Sequence, residues 1–321
     1  MPQFDLPLES LWEFRHPRRI PSDHEFFWTD TLEMSRTKAE PVQADLIESD
    51  LTFVDVFDVK FSGFNGENIR AWWLRPTHTT GPLPTIVEFL GHGGGRGKPH
   101  ERLLWAAHGF CQLVVDSRGQ GGIWNTGDTE DPHGHFSSTN SFLTKGIEAP
   151  ESYYYRRLYA DVALSVDAAS TLPGVDPQRI GTYGHSQGGA LALVAAALNS
   201  RIKAVAARAP FLCGIARSIA VSPNSPYSDL ADFLGVHRER SSQYLATLDY
   251  FDVAFFMKKI SIPVWFSLGL SDLICPPSGV FTAINNTKPE NRTVNIWPYN
   301  SHESGGAEDE NRLVKWFRDR L

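Results

Sequence analysis

The stretch Gly184-His185-Ser186-Gln187-Gly188 sets a serine between two glycines, after the strand-like run RIGTYGHS (179–186) and before the helix-forming run QGGALALVAAALN. A G-x-S-x-G stretch in that context is a nucleophile elbow. The glycines allow a sharp bend, the bend lifts the hydroxyl out of the sheet, and the next backbone N–H points at any negative oxygen forming beside the serine. Ser186 is therefore the candidate nucleophile and the N–H of Gln187 a candidate oxyanion donor. A serine hydroxyl needs a base at neutral pH. In the chain order that accompanies this elbow, the acid follows the serine and the histidine comes last. Only His237 and His302 follow Ser186. His237 lies among charges in LGVHRERSSQ and reads as a solvated side chain. His302, in WPYNSHESGG between the last strand-like run and the last helical one, suits a base reaching over strand ends. The run WFSLGLSDLICPP ends a strand near Leu270 and at once offers Asp272, which would hold the imidazole in the right tautomer. Glu303 and Asp252 read as solvated or capping residues.

A second oxyanion donor is expected after the strand ending near Leu90. The sequence there is His92-Gly93-Gly94-Gly95, of the HGGG type found in esterase loops, with His92 or a glycine as the donor. A role for His92 as a second base is the weaker alternative. Pro210 and Phe211 are candidates for the wall of a short acyl pocket.

These residues need a scaffold that gathers loops from distant parts of the chain. TIVEFLG (85–91), FCQLVVDSRG (110–119), IKAVAARAP (202–210), IPVWFSLGL (262–270) and RTVNIWPYN (292–300) read as further strands. YYYRRLYADVALSVDAASTL (153–172) repeats apolar residues at Leu158, Val162, Val166 and Ala169, a helical spacing, and EDENRLVKWFRDRL closes the chain as a helix. Apolar strands alternating with helices argue for a parallel sheet covered on both faces. TFVDVFDVKFSGFNGENIRAWWLRP adds two β-like runs joined at Asn65-Gly66, a hairpin at the front. Residues 1–50 read as an irregular or helical extension. Residues 123–152 and about 211–260 read as loop and helix insertions on one α/β domain spanning 1–321.

Composition narrows the classes. The 321 residues are 41% hydrophobic and carry a net charge of −7, with no basic run, so nucleic acid and anionic membranes are not expected partners. Cys111, Cys213 and Cys275 lie far apart without a CxxC pair, so no metal or redox motif is expected and buried thiols are. There is no signal-like start and no apolar run long enough to cross a membrane, which makes a reducing cytoplasm the expected compartment.

Several stretches together resemble the acetyl xylan esterase/cephalosporin-C deacetylase family of carbohydrate esterases. They are Arg118-Gly119-Gln120, the GHSQG elbow, His302-Glu303, GDTEDPHG (127–134), SYYYRRLYADV (152–162), PFLCGIARSI (210–219), LDYFDVAFF (248–256) and SDLICPPSGVF (271–281). The resemblance implies an α/β-hydrolase fold: a mostly parallel central sheet with antiparallel N-terminal edge strands and helices on both faces. It implies cofactor-free removal of acetyl groups from sugars, xylo-oligosaccharides and cephalosporin-type esters, with an acetyl-enzyme intermediate. It also implies a hexamer whose sites face an inner cavity. The triad carries over as Ser186, Asp272 and His302, and the oxyanion donors as the N–H groups of Gln187 and His92. Arg118 is expected to anchor its loop rather than react. The chain departs from the family pattern at two positions: His92 stands where a tyrosine is usual and His185 where a small residue is usual. A peptidase or thioesterase on the same fold, and a non-catalytic protein of hydrolase ancestry, are the competing readings.

Overall fold

A computed structural model describes residues 3–133 and 141–321. Its strands are β1 (Gln43–Ile47), β2 (Val54–Ser62), β3 (Asn68–Pro76), β4 (Leu83–Phe89), β5 (Cys111–Val115), β6 (Val175–His185), β7 (Ile202–Arg208), β8 (Val264–Gly269) and β9 (Arg292–Trp297). They form one sheet in the order β1-β2-β3-β5-β4-β6-β7-β8-β9. β1, β2 and β3 run antiparallel along one edge, and β3 meets β5 antiparallel. From β5 through β4, β6, β7, β8 and β9 every pairing is parallel. This is the expected α/β-hydrolase architecture. The expected hairpin joins β2 to β3, with Ser62 opposite Asn68 and Asn65 at φ 57° in the turn.

The helices are α1 (Leu8–Glu13), α2 (His24–Arg36), α3 (Leu104–Ala107), α4 (Tyr154–Ala169), α5 (Gln187–Leu198), α6 (Ile215–Val221), α7 (Tyr227–Val236), α8 (Ser241–Asp249), α9 (Val253–Phe256), α10 (Pro277–Asn286) and α11 (Gly306–Arg318). Strand alternation divides them between the two faces. Val87 packs into a large core with Leu158 and Val162 of α4 and Leu191 and Val194 of α5. Its neighbour Ile86 packs into a second core with Trp105 of α3 and Leu313 and Phe317 of α11. The α5 sequence QGGALALVAAAL is apolar all round because the helix is buried, not amphipathic. By contrast α11 buries Leu313, Val314, Trp316 and Phe317 on one stripe and carries Glu308 and Asp309 in its first turn, where the helix dipole favours them.

The N-terminal extension holds α1 and α2, as a helical reading allows, and also the edge strand β1, which that reading lacks. The QADLI sequence of β1 is mostly exposed and has no clean apolar alternation. Its pairing with β2 is what makes it a strand. Residues 211–260 hold the short helices α6 to α9. The loop expected over 123–152 has no helix or strand among its described residues, and 134–140 lie outside them. Among the described residues, no helix is long and apolar enough to cross a membrane.

Candidate active site

Ser186 is the hinge between β6 and α5, with φ 58° and ψ −122°. For a residue with a Cβ this is a strained conformation, held here by its surroundings. Its N–H donates to Arg208 O at 2.9 Å, and its carbonyl accepts from Phe211 N at 3.0 Å and Ala190 N at 3.1 Å. The flanking glycines are needed for contact. A Cβ on Gly184 would come within 2.2 Å of the Gly188 backbone, and one on Gly188 within 2.2 Å of Phe89 O.

Asp272 and His302 meet above the ends of β8 and β9. His302 Nδ1 donates to Asp272 Oδ2 at 2.9 Å. The other carboxylate oxygen, Oδ1, accepts from the N–H groups of Ile274 at 2.8 Å and Cys275 at 2.9 Å. Asp272 is fully covered, while the His302 side chain keeps about a fifth of its surface open to the cavity. The imidazole is therefore fixed in the tautomer that leaves Nε2 free to accept a proton. Gly269 ends β8, and a Cβ there would lie 2.3 Å from the carbonyls of Asn300 and Ser301, so the glycine lets the histidine loop settle on the strand end. Ser186 and His302 both line a cavity of about 610 Å3 at the carboxyl ends of the parallel strands, the end where ligands bind in such sheets.

His92 lies in the loop after β4 and lines the same cavity. Among the described residues, neither its backbone N–H nor that of Gln187 has an acceptor. Burial holds the His92 imidazole below its ordinary pKa, and its Nδ1 is buried without a partner. The ring packs edge to face on Phe142 and Phe211, with centroids 5.4 and 6.1 Å away. Phe211 lines the cavity, whereas Pro210 is not among its lining residues and instead backs onto Gly189.

The Arg118-Gly119-Gln120 motif lies behind these groups. Gln120 Oε1 accepts from Gly93 N at 2.7 Å. The same side chain forms a reciprocal amide pair with Gln187, at 3.0 and 3.1 Å. It thus ties the 92–95 loop to the start of α5. Tyr155 OH donates to Gln187 Oε1 at 2.9 Å, and Tyr154 OH donates to Arg118 O at 2.6 Å. The fully buried Arg118 guanidinium grips both Asp161 oxygens, at 2.6 and 2.7 Å, and also bonds Glu67. Arg118 thus ties its loop to Asp161 of α4 and to Glu67, a place that suits the anchoring role the family resemblance implies. The tyrosine and Asp161 contributions are not readable in the sequence beyond the run Tyr153-Tyr154-Tyr155 at the start of a helical spacing.

Other residues reach the site unannounced. Trp124, half exposed, lines the cavity and donates from Nε1 to His92 O at 2.8 Å. Arg102 and Asp229 also line it. The Cys275 thiol lies against Ser186. All three cysteines are free and buried. His237 is half-buried against Phe233, and Asp252 is buried, capping α9 through Ala254 N. Glu303 is exposed and caps its own loop through Asn300 and Ser301. One group of metal-ligand type gathers among the described residues: atoms of Asp272, Cys275 and His302 lie within 4.8 Å of one another. It coincides with the carboxylate–imidazole pair, so a cation there would occupy groups already engaged with each other.

Comparison with known proteins identifies the family of the chain. The family model Acetyl xylan esterase (AXE1) matches residues 1–320. The acetyl xylan esterase from Paenibacillus sp. R4 superposes with a TM-score of 0.91 at 31% identity, over 98% of this chain and 100% of that one. Acetyl xylan esterase 1 from Thermoanaerobacterium sp. JW/SL YS485 gives 0.88 at 29% identity, over 98% and 99%. Acetyl esterase Axe7A of Xylanibacter ruminicola is 26% identical over 305 residues, 94% of this chain and 67% of the relative. With an elbow serine, a carboxylate-held histidine and a family match from end to end, the chain belongs to the acetyl xylan esterase family of α/β-hydrolase enzymes, which hydrolyse acetyl esters.

Proposed function

We propose that the protein is a serine acetylesterase acting on O-acetylated sugars through an acetyl-enzyme, with Ser186, His302 and Asp272 as nucleophile, base and acid. The observation that carries this reading is the strained elbow of Ser186 sharing one cavity with a histidine whose Nδ1–H is held by Asp272. His302 Nε2 takes the Ser186 proton as the hydroxyl oxygen attacks the acetyl carbonyl. The oxyanion is received by the N–H groups of Gln187 and His92. His302 then returns the proton to the departing sugar oxygen. Water repeats the cycle and releases acetate. Asp272 holds the imidazole through Nδ1 and stabilises the imidazolium.

The rings of His92 and Phe211 bound the acyl side and favour a short acyl group. On the leaving-group side the cavity offers the Trp124 ring and the polar side chains of Arg102, Asp229 and Ser225, a mixture suited to a sugar's apolar face and hydroxyls. Cephalosporin-type acetates fit the same description. Six-fold assembly is part of the proposal. Val236 and Tyr299, 72% and 91% exposed, offer apolar surface for it, and light scattering in solution tests it. A cytoplasmic setting suits three free thiols.

The Ser186→Ala variant should lose about 10⁴–10⁶ in kcat on a chromogenic acetate ester while its circular dichroism is unchanged. A variant that keeps its turnover sinks the assignment. Acetate esters should be cleaved faster than butyrate esters, since each methylene that does not fit costs about 1–3 kcal/mol. A panel of acetylated sugars, aminoacyl amides and acyl thioesters checks the substrate class.

A further inference from the structure

His185 is the last residue of β6, and its register partner on β7 is Arg208. Both side chains reach the loop that carries His302. His185 Nε2 donates to the backbone carbonyl of His302 at 2.6 Å, and a carbonyl accepts only, so the His185 proton sits on Nε2. Arg208 Nη2 donates to the next carbonyl, that of Glu303, at 2.9 Å. The two strand-end donors thus hold consecutive peptide groups of one loop. They are also fixed to the serine. His185 precedes Ser186 in the chain, and the carbonyl of Arg208 accepts the Ser186 N–H at 2.9 Å. Arg208 is in turn oriented by Tyr183 OH at 3.1 Å and Glu310 at 2.9 Å. The His185 and His302 rings lie 4.7 Å apart between centroids, so the first ring also supports the second from the side.

We infer that His185 and Arg208 form a two-point clamp on the His302–Glu303 backbone that sets the distance between the Ser186 hydroxyl and the His302 imidazole. Both are positioning residues. Asp272 fixes how the imidazole is turned, but the carboxylate alone does not fix where the loop sits over the serine. Loops over strand ends are the mobile part of such a site, and a displacement of about 1 Å between reacting groups can cost about a hundredfold in rate. A donor rooted next to the nucleophile removes that freedom, because serine and base then move together. His185 does not act as a second base. Its Nε2 is engaged as a donor, and burial, helped by the nearby His302 and Arg208, pushes its pKa down to about 3.

The inference rests on Ser186 and His302 as nucleophile and base. Four single variants test it, with kcat, KM, the rate of labelling by a fluorophosphonate, and the melting temperature measured for each. His185→Ala and Arg208→Met remove the donors; His185→Gln and Arg208→Lys keep one. The removals should lower kcat by about 10- to 100-fold with KM changed less than about threefold, and labelling should slow in parallel. The retained-donor variants should recover most of the loss. If His185→Ala does not fold, His185→Phe, which keeps the ring but lacks the donor, is read in its place. The His185→Ala/Arg208→Met pair should lose less than the product of the single losses, since both release the same loop. A kcat within about twofold of the parent with only the melting temperature lowered overturns the clamp, as does a rise in KM at constant kcat. Turnover that survives Ser186→Ala would instead overturn the triad on which the clamp rests.

Discussion

The parallel strands open onto a cavity at each end, and the larger one is not where the candidate chemistry lies. At their amino ends a cavity of about 770 Å3 is lined by Pro177, Gln178, Arg201, Ile202 and Ile262. Its charges are half in water: Arg36 and Arg201 reach Asp167 at 3.0 and 3.5 Å, with the three side chains 42%, 50% and 32% exposed. At the carboxyl ends the smaller cavity sits on fully buried polar groups, Asp272, Gln187 and Arg118. The strain is there too. Apart from Asn65 in the hairpin, the described non-glycine residues with positive φ are Ser186, Ala209, Leu212 and Ser304, all beside these strand ends. The contrast shows that volume does not mark a site in this fold. What marks it is polar groups held dry, in conformations the chain does not adopt unaided.

Substitutions can break the comparison, starting with the largest effect. Asp272→Asn should lower kcat by about 10⁴, because the asparagine donates where the carboxylate accepted and turns the imidazole into the wrong tautomer. Steady-state kinetics on an acetate ester checks it. Arg118→Met leaves Asp161 buried and uncompensated behind the elbow, and urea unfolding should show a loss of about 3–5 kcal/mol. The acid limb of stability comes next. His185 is held neutral with its pKa near 3 in the folded chain. Below its ordinary value of about 6.5 the unfolded chain takes up a proton that the folded chain refuses. Stability should therefore fall as the pH drops from about 6.5 towards 3, by at most about 1.4 kcal/mol per pH unit from this group, and His185→Gln should flatten that part of the curve. At the opposite end Arg201→Ala should change stability by about 0.5 kcal/mol or less and leave kcat unchanged, since an exposed pair in water is worth little. A large loss of activity there would mean that the two ends are coupled.

The legible parts of the molecule were those with a local cause. The elbow could be read because a tight strand-to-helix bend needs glycines at fixed offsets, and a Cβ on Gly184 or Gly188 would fall 2.2 Å from other backbone. Asp272 and His302 could be proposed because each directly follows an apolar run. The strand β1 was not legible, since an exposed edge strand has no buried face to impose alternation. The amide pair of Gln120 and Gln187 joins residues 67 positions apart, and nothing in either neighbourhood announces it. The same holds for His185, which reads as a bulky substitution beside the serine until its contact 117 residues away is seen.

By itself the sequence determined the alternation of strands and helices, the bend at Ser186 and the chain order of serine, acid and histidine. These follow from steric limits and apolar spacing over a few residues. Tertiary structure alone decided which carbonyls the buried donors His185, Arg208 and Gln120 satisfy, and so where the loops stand over the serine. A buried polar group must find a partner wherever the packed chain offers one, and that choice is made in space, not along the sequence.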